Sequence, residues 1–142
     1  MKHSDIPVLN KVESLLLSAK GQPEKRREFY EALLQSRVFV FGEIINNKDT
    51  NETKLNVRYF QGNGRWILPM FSQLEHVQEN MVKDDMPILP IIVSELFKVV
   101  DPEATVVLNP GTNVDKTFTS EEVKDIVSGK IFDYFPVNKE EK

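Results

Sequence analysis

Phe29-Tyr30-Glu31-Ala32-Leu33-Leu34-Gln35-Ser36-Arg37-Val38-Phe39-Val40-Phe41 contains the change of period on which the fold turns. Through its first half, Phe29, Tyr30, Leu33 and Leu34 recur at three- and four-residue spacing, one stripe of an α-helix. After Ser36 the run Val38-Phe39-Val40-Phe41 is β-branched and aromatic without polar alternation, as in a strand covered on both faces. A helix that delivers the chain into a covered strand implies helices layered on a sheet. The expected fold class is therefore α/β (α+β).

Reading upstream, Leu9, Val12, Leu15, Leu16 and Ala19 mark another amphipathic helix, stopped at Gly21, and Pro23 with Glu24 suits the opening of the next one. Downstream, a polar loop from Asn46 to Thr53 leads to Leu55, Val57 and Tyr59 alternating with Lys54, Asn56 and Arg58. That pattern predicts a half-buried strand returning as a hairpin. After the turn Gln61-Gly62-Asn63-Gly64, a third strand runs from Arg65 to Met70, with Trp66, Leu68 and Met70 on one face.

Ser72 followed by Glu75 reads as a capping box and predicts a helix with Leu74, Val77 and Met81 inward. Pro87 and Pro90 restrict the next strand to an edge or crossing segment. Val93, Leu96, Phe97 and Val100 predict a helix ended by Asp101-Pro102, and Ala104 to Leu108 a buried strand. Asn109-Pro110-Gly111 is a sharp turn, and Thr119 with Glu122 opens a last helix carrying Val123, Ile126 and Val127 inward. The whole is expected to be a mixed β-sheet of about five to six strands flanked by about five helices in a single compact domain. Residues 1–6 and 136–142 are expected to be flexible ends.

Composition removes several kinds of chemistry. The chain has 142 residues, 18 Lys+Arg, 22 Asp+Glu, a net charge of −4 and no cysteine. No thiolate nucleophile, disulfide or Cys-ligated metal is therefore available. His3 and His76 are the only imidazoles, which argues against a metal site, and no cofactor is expected. Nucleic acid is not an expected partner, because the one basic run, Lys25-Arg26-Arg27, is flanked by Glu24 and Glu28 and reads as a solvated helix face. The longest apolar stretch, Met86 to Val93, is short and holds two prolines, so no membrane crossing is expected. The N-terminus lacks the apolar core of a secretory signal, and the chain reads as cytoplasmic and bacterial.

Three segments, "FYEALLQS" from Phe29, "LPMFSQLE" from Leu68 and "VLNPGT" from Val107, together resemble the N-terminal domain of the SseB (enhanced serine sensitivity) family. The resemblance runs from about Leu9 to Gly129. It implies a compact α/β domain, a single-domain version of a family with many two-domain members, and brings no catalytic residues to carry over. The absence of cysteine separates this chain from the sulfurtransferases that share the serine-sensitivity label.

The candidate ligand-binding residues are Asn109, Gly111, Thr112 and Asn113, where a buried strand emerges into a turn of short polar side chains. The same residues also make sense as a plain tight turn. Arg65 and Trp66, just past a glycine turn, are read either as an exposed aromatic–cation pair facing a partner or, for Trp66, as ordinary core. His76 reads as a boundary histidine packed on Phe71, and Ser72 and Ser36 as helix punctuation. The adjacent acids Asp84-Asp85, Glu121-Glu122 and Glu140-Glu141 read as helix-end and solubility charges. No catalytic set emerges. The expected function is a non-enzymatic protein-interaction or regulatory module that docks an unidentified protein or a second copy, through an exposed strand edge or an apolar patch near Pro87 and Pro90. The alternative is a sensor of an amino acid or related anionic metabolite at the Asn109–Asn113 turn.

Overall fold

In the computed structural model, residues 9–62, 64–77 and 87–135 are described. Helices α1 (Lys11–Gly21) and α2 (Arg26–Gln35), joined through a short 3-10 turn at Pro23–Lys25, precede strand β1 (Arg37–Asn47). Strands β2 (Glu52–Val57), β3 (Phe60–Gly62) and β4 (Arg65–Met70) follow, then a 3-10 turn at Leu74–His76. The remainder is β5 (Ile88–Ile92), α3 (Val93–Val99), β6 (Thr105–Leu108), β7 (Lys116–Phe118), α4 (Ser120–Ser128) and α5 (Ile131–Tyr134).

The mixed α/β class stands, but the strands among the described residues form two sheets, ordered β2-β1-β5 and β3-β4-β6-β7, rather than one. The predicted hairpin is there as the antiparallel pair β1–β2, with Gly42 opposite Val57 and Asn47 opposite Glu52. A Cβ on Gly42 would stand 2.7 Å from the Asn56 carbonyl oxygen, so that position requires glycine. Where β1 leaves this pairing, Phe39 exchanges both backbone hydrogen bonds with Phe71, at 2.8 and 2.9 Å, and this one residue pair stitches the sheets together.

On its other side β1 runs antiparallel to β5, with Phe39 opposite Pro90. Since the Phe39 amide and carbonyl are turned to Phe71, Pro90 sits at a non-bonded pair and its missing N–H faces the free edge. No ladder bond is lost, and the edge lacks a donor at its centre, which discourages addition of another strand there. The apolar side chains of Ile88 and Ile92 stay exposed along that strand.

The main core lies between helices and sheets: Val38, Val40, Leu68, Met70, Val106 and Leu108 from the strands meet Leu16, Phe29, Leu33, Leu96 and Ile126 from the helices. Phe41 and Phe71 lie outside it, packed edge-on at 5.8 Å, with Phe60 a further 5.8 Å edge contact on Phe41. Covering both faces of β1 is what its unbroken apolar run predicts.

Two expectations change. The helix expected from Ser72 is only a 3-10 turn as far as Val77, and Met81 lies outside the described residues. The basic run is not simply solvated: Arg27 donates to the Phe132 and Phe135 carbonyls at 3.3 and 3.0 Å, and its guanidinium lies 5.0 Å from the Phe132 ring. Its ion pair is with Glu31, at 3.2 Å. Among the described residues, no helix is long and apolar enough to cross a membrane.

Candidate functional site

β4 and β6 run parallel, with Met70 opposite Leu108. The residues that follow each strand are thereby brought together beyond the carboxyl ends, where open α/β sheets gather ligands. Asn109, at φ 49°, donates its backbone N–H to the Met70 carbonyl at 2.8 Å. Its side chain accepts from the Ser72 amide at 2.9 Å and donates to Ser72 Oγ at 2.8 Å and the Val114 carbonyl at 3.2 Å. Thr112 Oγ1 donates to the Asn109 carbonyl at 2.8 Å and accepts from the Val114 amide at 3.2 Å.

The N-terminus of α1 closes over this end of the sheet. Asn10 and Glu13 form a capping box: the Glu13 amide donates to Asn10 Oδ1 at 2.9 Å, and the Asn10 amide to Glu13 Oε1 at 3.0 Å. Glu13 is fully buried, and its carboxylate also accepts from Ser72 Oγ and from Gln73 Nε2 at 2.7 Å. His76 Nε2 lies 2.9 Å from Glu13 Oε2. Burial is the largest influence on this carboxyl and pushes its pKa up. The hydrogen bonds from Ser72, the Asn10 backbone, Gln73 and His76 together outweigh it and hold the pKa below the ordinary value. An acidic group does collect beyond β4 and β6, and the chain supplies it.

The order of groups matters chemically. In a serine nucleophile system the imidazole stands between hydroxyl and acid and takes the hydroxyl proton. Here the acid stands between Ser72 and His76, and Ser72 Oγ donates to Glu13 while accepting from Asn109. Ser72 and His76 are both buried. This arrangement holds a charge and ties α1 to the sheet ends; it does not prepare Ser72 for attack.

The sequence-derived candidates thus separate. Asn109 is buried with its side chain committed inward and Thr112 is half-buried, whereas Gly111, at φ 81°, and Asn113 are exposed. Sequence reasoning missed Glu13 altogether, and the signal was the capping-box spacing Asn10-x-x-Glu13. His76 is not a histidine packed at a boundary but a buried partner of that acid.

Trp66 is not core. It is 53% exposed and walls a cleft of about 410 Å³ at the base of the β1–β2 hairpin. Tyr59 lines the same cleft, its hydroxyl accepting from the Asp101 amide at 2.9 Å. Burial, the largest influence, and the Asp101 charge push the Tyr59 pKa up against that hydrogen bond, so the phenol stays protonated. Glu43, Asp101 and Arg58 supply the charges on the lining. Arg65 is exposed and shares a second cleft with Trp66 and Asp101, so the Arg65–Trp66 pair lies on the surface.

A third cleft, about 360 Å³, lies where α1 and α2 approach β7 and α4. Tyr30 donates to Glu122 Oε2 at 2.6 Å, and Lys116 pairs with the same oxygen at 3.2 Å. Burial first, then the hydrogen bond to Glu122 and its charge, push the Tyr30 pKa far above the usual tyrosine value, with Arg26 opposing.

An α/β domain with a buried polar tie and an exposed aromatic cleft is the class that these features define. The SseB protein N-terminal domain model matches residues 12–125, and the chain belongs to that family. It is similar to the protein SseB of Escherichia coli (strain K12) and to that of Shigella flexneri, 28% identical to each over 120 residues, 83% of this chain and 46% of theirs. It therefore spans less than half the length of these relatives. No solved structure gives a significant match.

Proposed function

We propose that this domain is a non-enzymatic protein-interaction module, a regulatory part that works by docking. The carrying observation is Trp66, half-exposed on the wall of a formed cleft. Folding gains little from an indole left in water, whereas tryptophan is among the residues that most often anchor interfaces. The reading as a non-enzyme is supported by the Ser72–Glu13–His76 order, in which the hydroxyl has no imidazole to take its proton and is buried away from any substrate. The test is cross-linking in cells of the natural protein and of its Trp66→Ala and Arg65→Ala variants. Cross-links to a specific protein, or to a second copy, should fall with either substitution; a monomer with no enriched partner overturns the reading.

A metabolite sensor at the Asn109–Asn113 turn would have to bind through Gly111 and Asn113, since Asn109 is already used. A thermal-shift screen of anionic metabolites separates the two: a ligand at 100 times its Kd adds about 2.7 kcal/mol of stability.

A further inference from the structure

We propose that the cleft beside Trp66 receives an arginine side chain presented by the partner protein, an inference that rests on the interaction role above. Tyr59 joins Trp66 on the lining, so a planar group entering the cleft meets an indole and a phenol, whereas Phe41, also on the lining, is itself buried. Glu43 and Asp101 line it as well; Asp101 accepts from the Glu103 amide at 2.8 Å, and among the described residues neither carboxylate has an ion-pair partner. Arg58 is the cation on the same lining, which leaves negative charge in excess there, on a chain whose net charge is −4.

An indole and a phenol beside two carboxylates that lack a cation suit a guanidinium better than any other common side chain. It is planar and weakly hydrated, stacks on indole and phenol rings, and donates through a fork that fits a carboxylate. Lysine would satisfy the charge but neither the stacking nor the fork. An acidic segment would meet Glu43 and Asp101, and an aliphatic one would desolvate both carboxylates with no cation to offset their charge. The cleft volume of about 410 Å³ falls within the usual range for ligand pockets, about 300–1,000 Å³.

Trp66 is the only tryptophan, so its emission reports directly on the cleft. The full chain is titrated with acetyl-Gly-Arg-Gly-amide and with twins carrying citrulline, lysine or glutamate in place of arginine. The arginine peptide should change Trp66 emission saturably, with apparent affinity about fivefold or more above the citrulline twin. Glu43→Gln combined with Asp101→Asn, checked for retained fold by circular dichroism, should erase that preference. Equal response to the arginine, citrulline and glutamate peptides, or no saturable response, overturns the inference. The cross-linking test stays separate. Loss of cross-links in Trp66→Ala without arginine preference overturns the guanidinium site alone; arginine preference with cross-links unchanged in Trp66→Ala overturns the interaction role assigned to this cleft.

Discussion

Glu13 and His76 are 63 residues apart in sequence and meet inside the molecule, Oε2 to Nε2 at 2.9 Å. Ser72, Gln73 and the Asn10 amide donate to the same carboxylate, and Asn10 Nδ2 donates to the Ser72 carbonyl at 3.2 Å, so Glu13 together with its cap residue binds the start of α1 to the segment beyond β4. Glu13→Ala would leave these donors facing one another without an acceptor. It is expected to cost about 3 kcal/mol of unfolding free energy, the scale for stripping a buried hydrogen-bonded charge of its partners. Urea denaturation reads this, and a loss under about 0.5 kcal/mol would show that the tie carries no stability.

The same acid fixes a pH dependence. Its folded pKa lies below the reference 4.5, so the unfolded chain takes up the proton first as pH falls. The stabilisation is therefore complete above the unfolded value and is lost as pH drops through the folded one. Unfolding midpoints measured between neutral pH and pH about 3 should fall more steeply in the natural protein than in Glu13→Gln, which has no proton to bind. Parallel curves would assign the acid sensitivity elsewhere.

Asn109 offers a contrast within one position. Asn109→Gly relieves the φ of 49° but removes three side-chain hydrogen bonds, for an expected loss of about 2 kcal/mol. Asn109→Asp retains the acceptor for the Ser72 amide, yet turns an oxygen toward the Val114 carbonyl and adds a second carboxylate close to Glu13. At neutral pH it should be the less stable variant, and mild acid should narrow the gap by protonating the new group. Thermal melts at two pH values decide the order; aspartate the more stable at neutrality would contradict it.

These residues also show what a sequence can carry. The period of Phe29 to Leu34 and the unbroken run Val38–Phe41 announce helix and strand because burial along each element repeats locally. β3 and β7 are three residues each, too short for any period to register. Ser72-x-x-Glu75 has the spacing of a helix start, but the Ser72 hydroxyl is spent on Glu13, 59 residues away, and the 3-10 turn begins after Gln73 without a side-chain cap. Glu13, conversely, satisfies a local rule at Asn10 while its other partners lie about 60 positions on. Local patterns identify the element; they do not reveal which side chain a second, distant element will claim.

The hairpin gives a matched glycine pair. Gly42→Ala must push its Cβ into the Asn56 carbonyl and the Val57 backbone, where no flexible side chain can yield, and should cost about 1–3 kcal/mol. Gly21→Ala, with nothing within 4 Å and at the end of α1, should be neutral or stabilising by up to about 1 kcal/mol. Denaturant midpoints for the two variants should move apart, and a shared direction would be wrong for this packing.

Arg27 supports the last prediction, since it holds α5, the last described helix, through backbone carbonyls. Its guanidinium spans the Phe132 and Phe135 carbonyls while its Nε pairs with Glu31, so α5 is fastened to α2 by one forked side chain. The Tyr30 and Phe135 rings, stacked at 5.9 Å, add an apolar contact to the same junction. Lysine at position 27 would keep the charge and the attraction to Glu31 but could not reach two carbonyls and a carboxylate at once. Arg27→Lys should therefore leave global unfolding nearly unchanged, within about 0.5–1 kcal/mol, while speeding hydrogen exchange and proteolytic nicking around residues 129–135. Phe135→Ala should expose the same segment by removing the stack and leaving the fork in place. If Arg27→Lys instead lowers global stability as much as Glu13→Ala does, α5 unfolds together with the core and is not a separately fastened element.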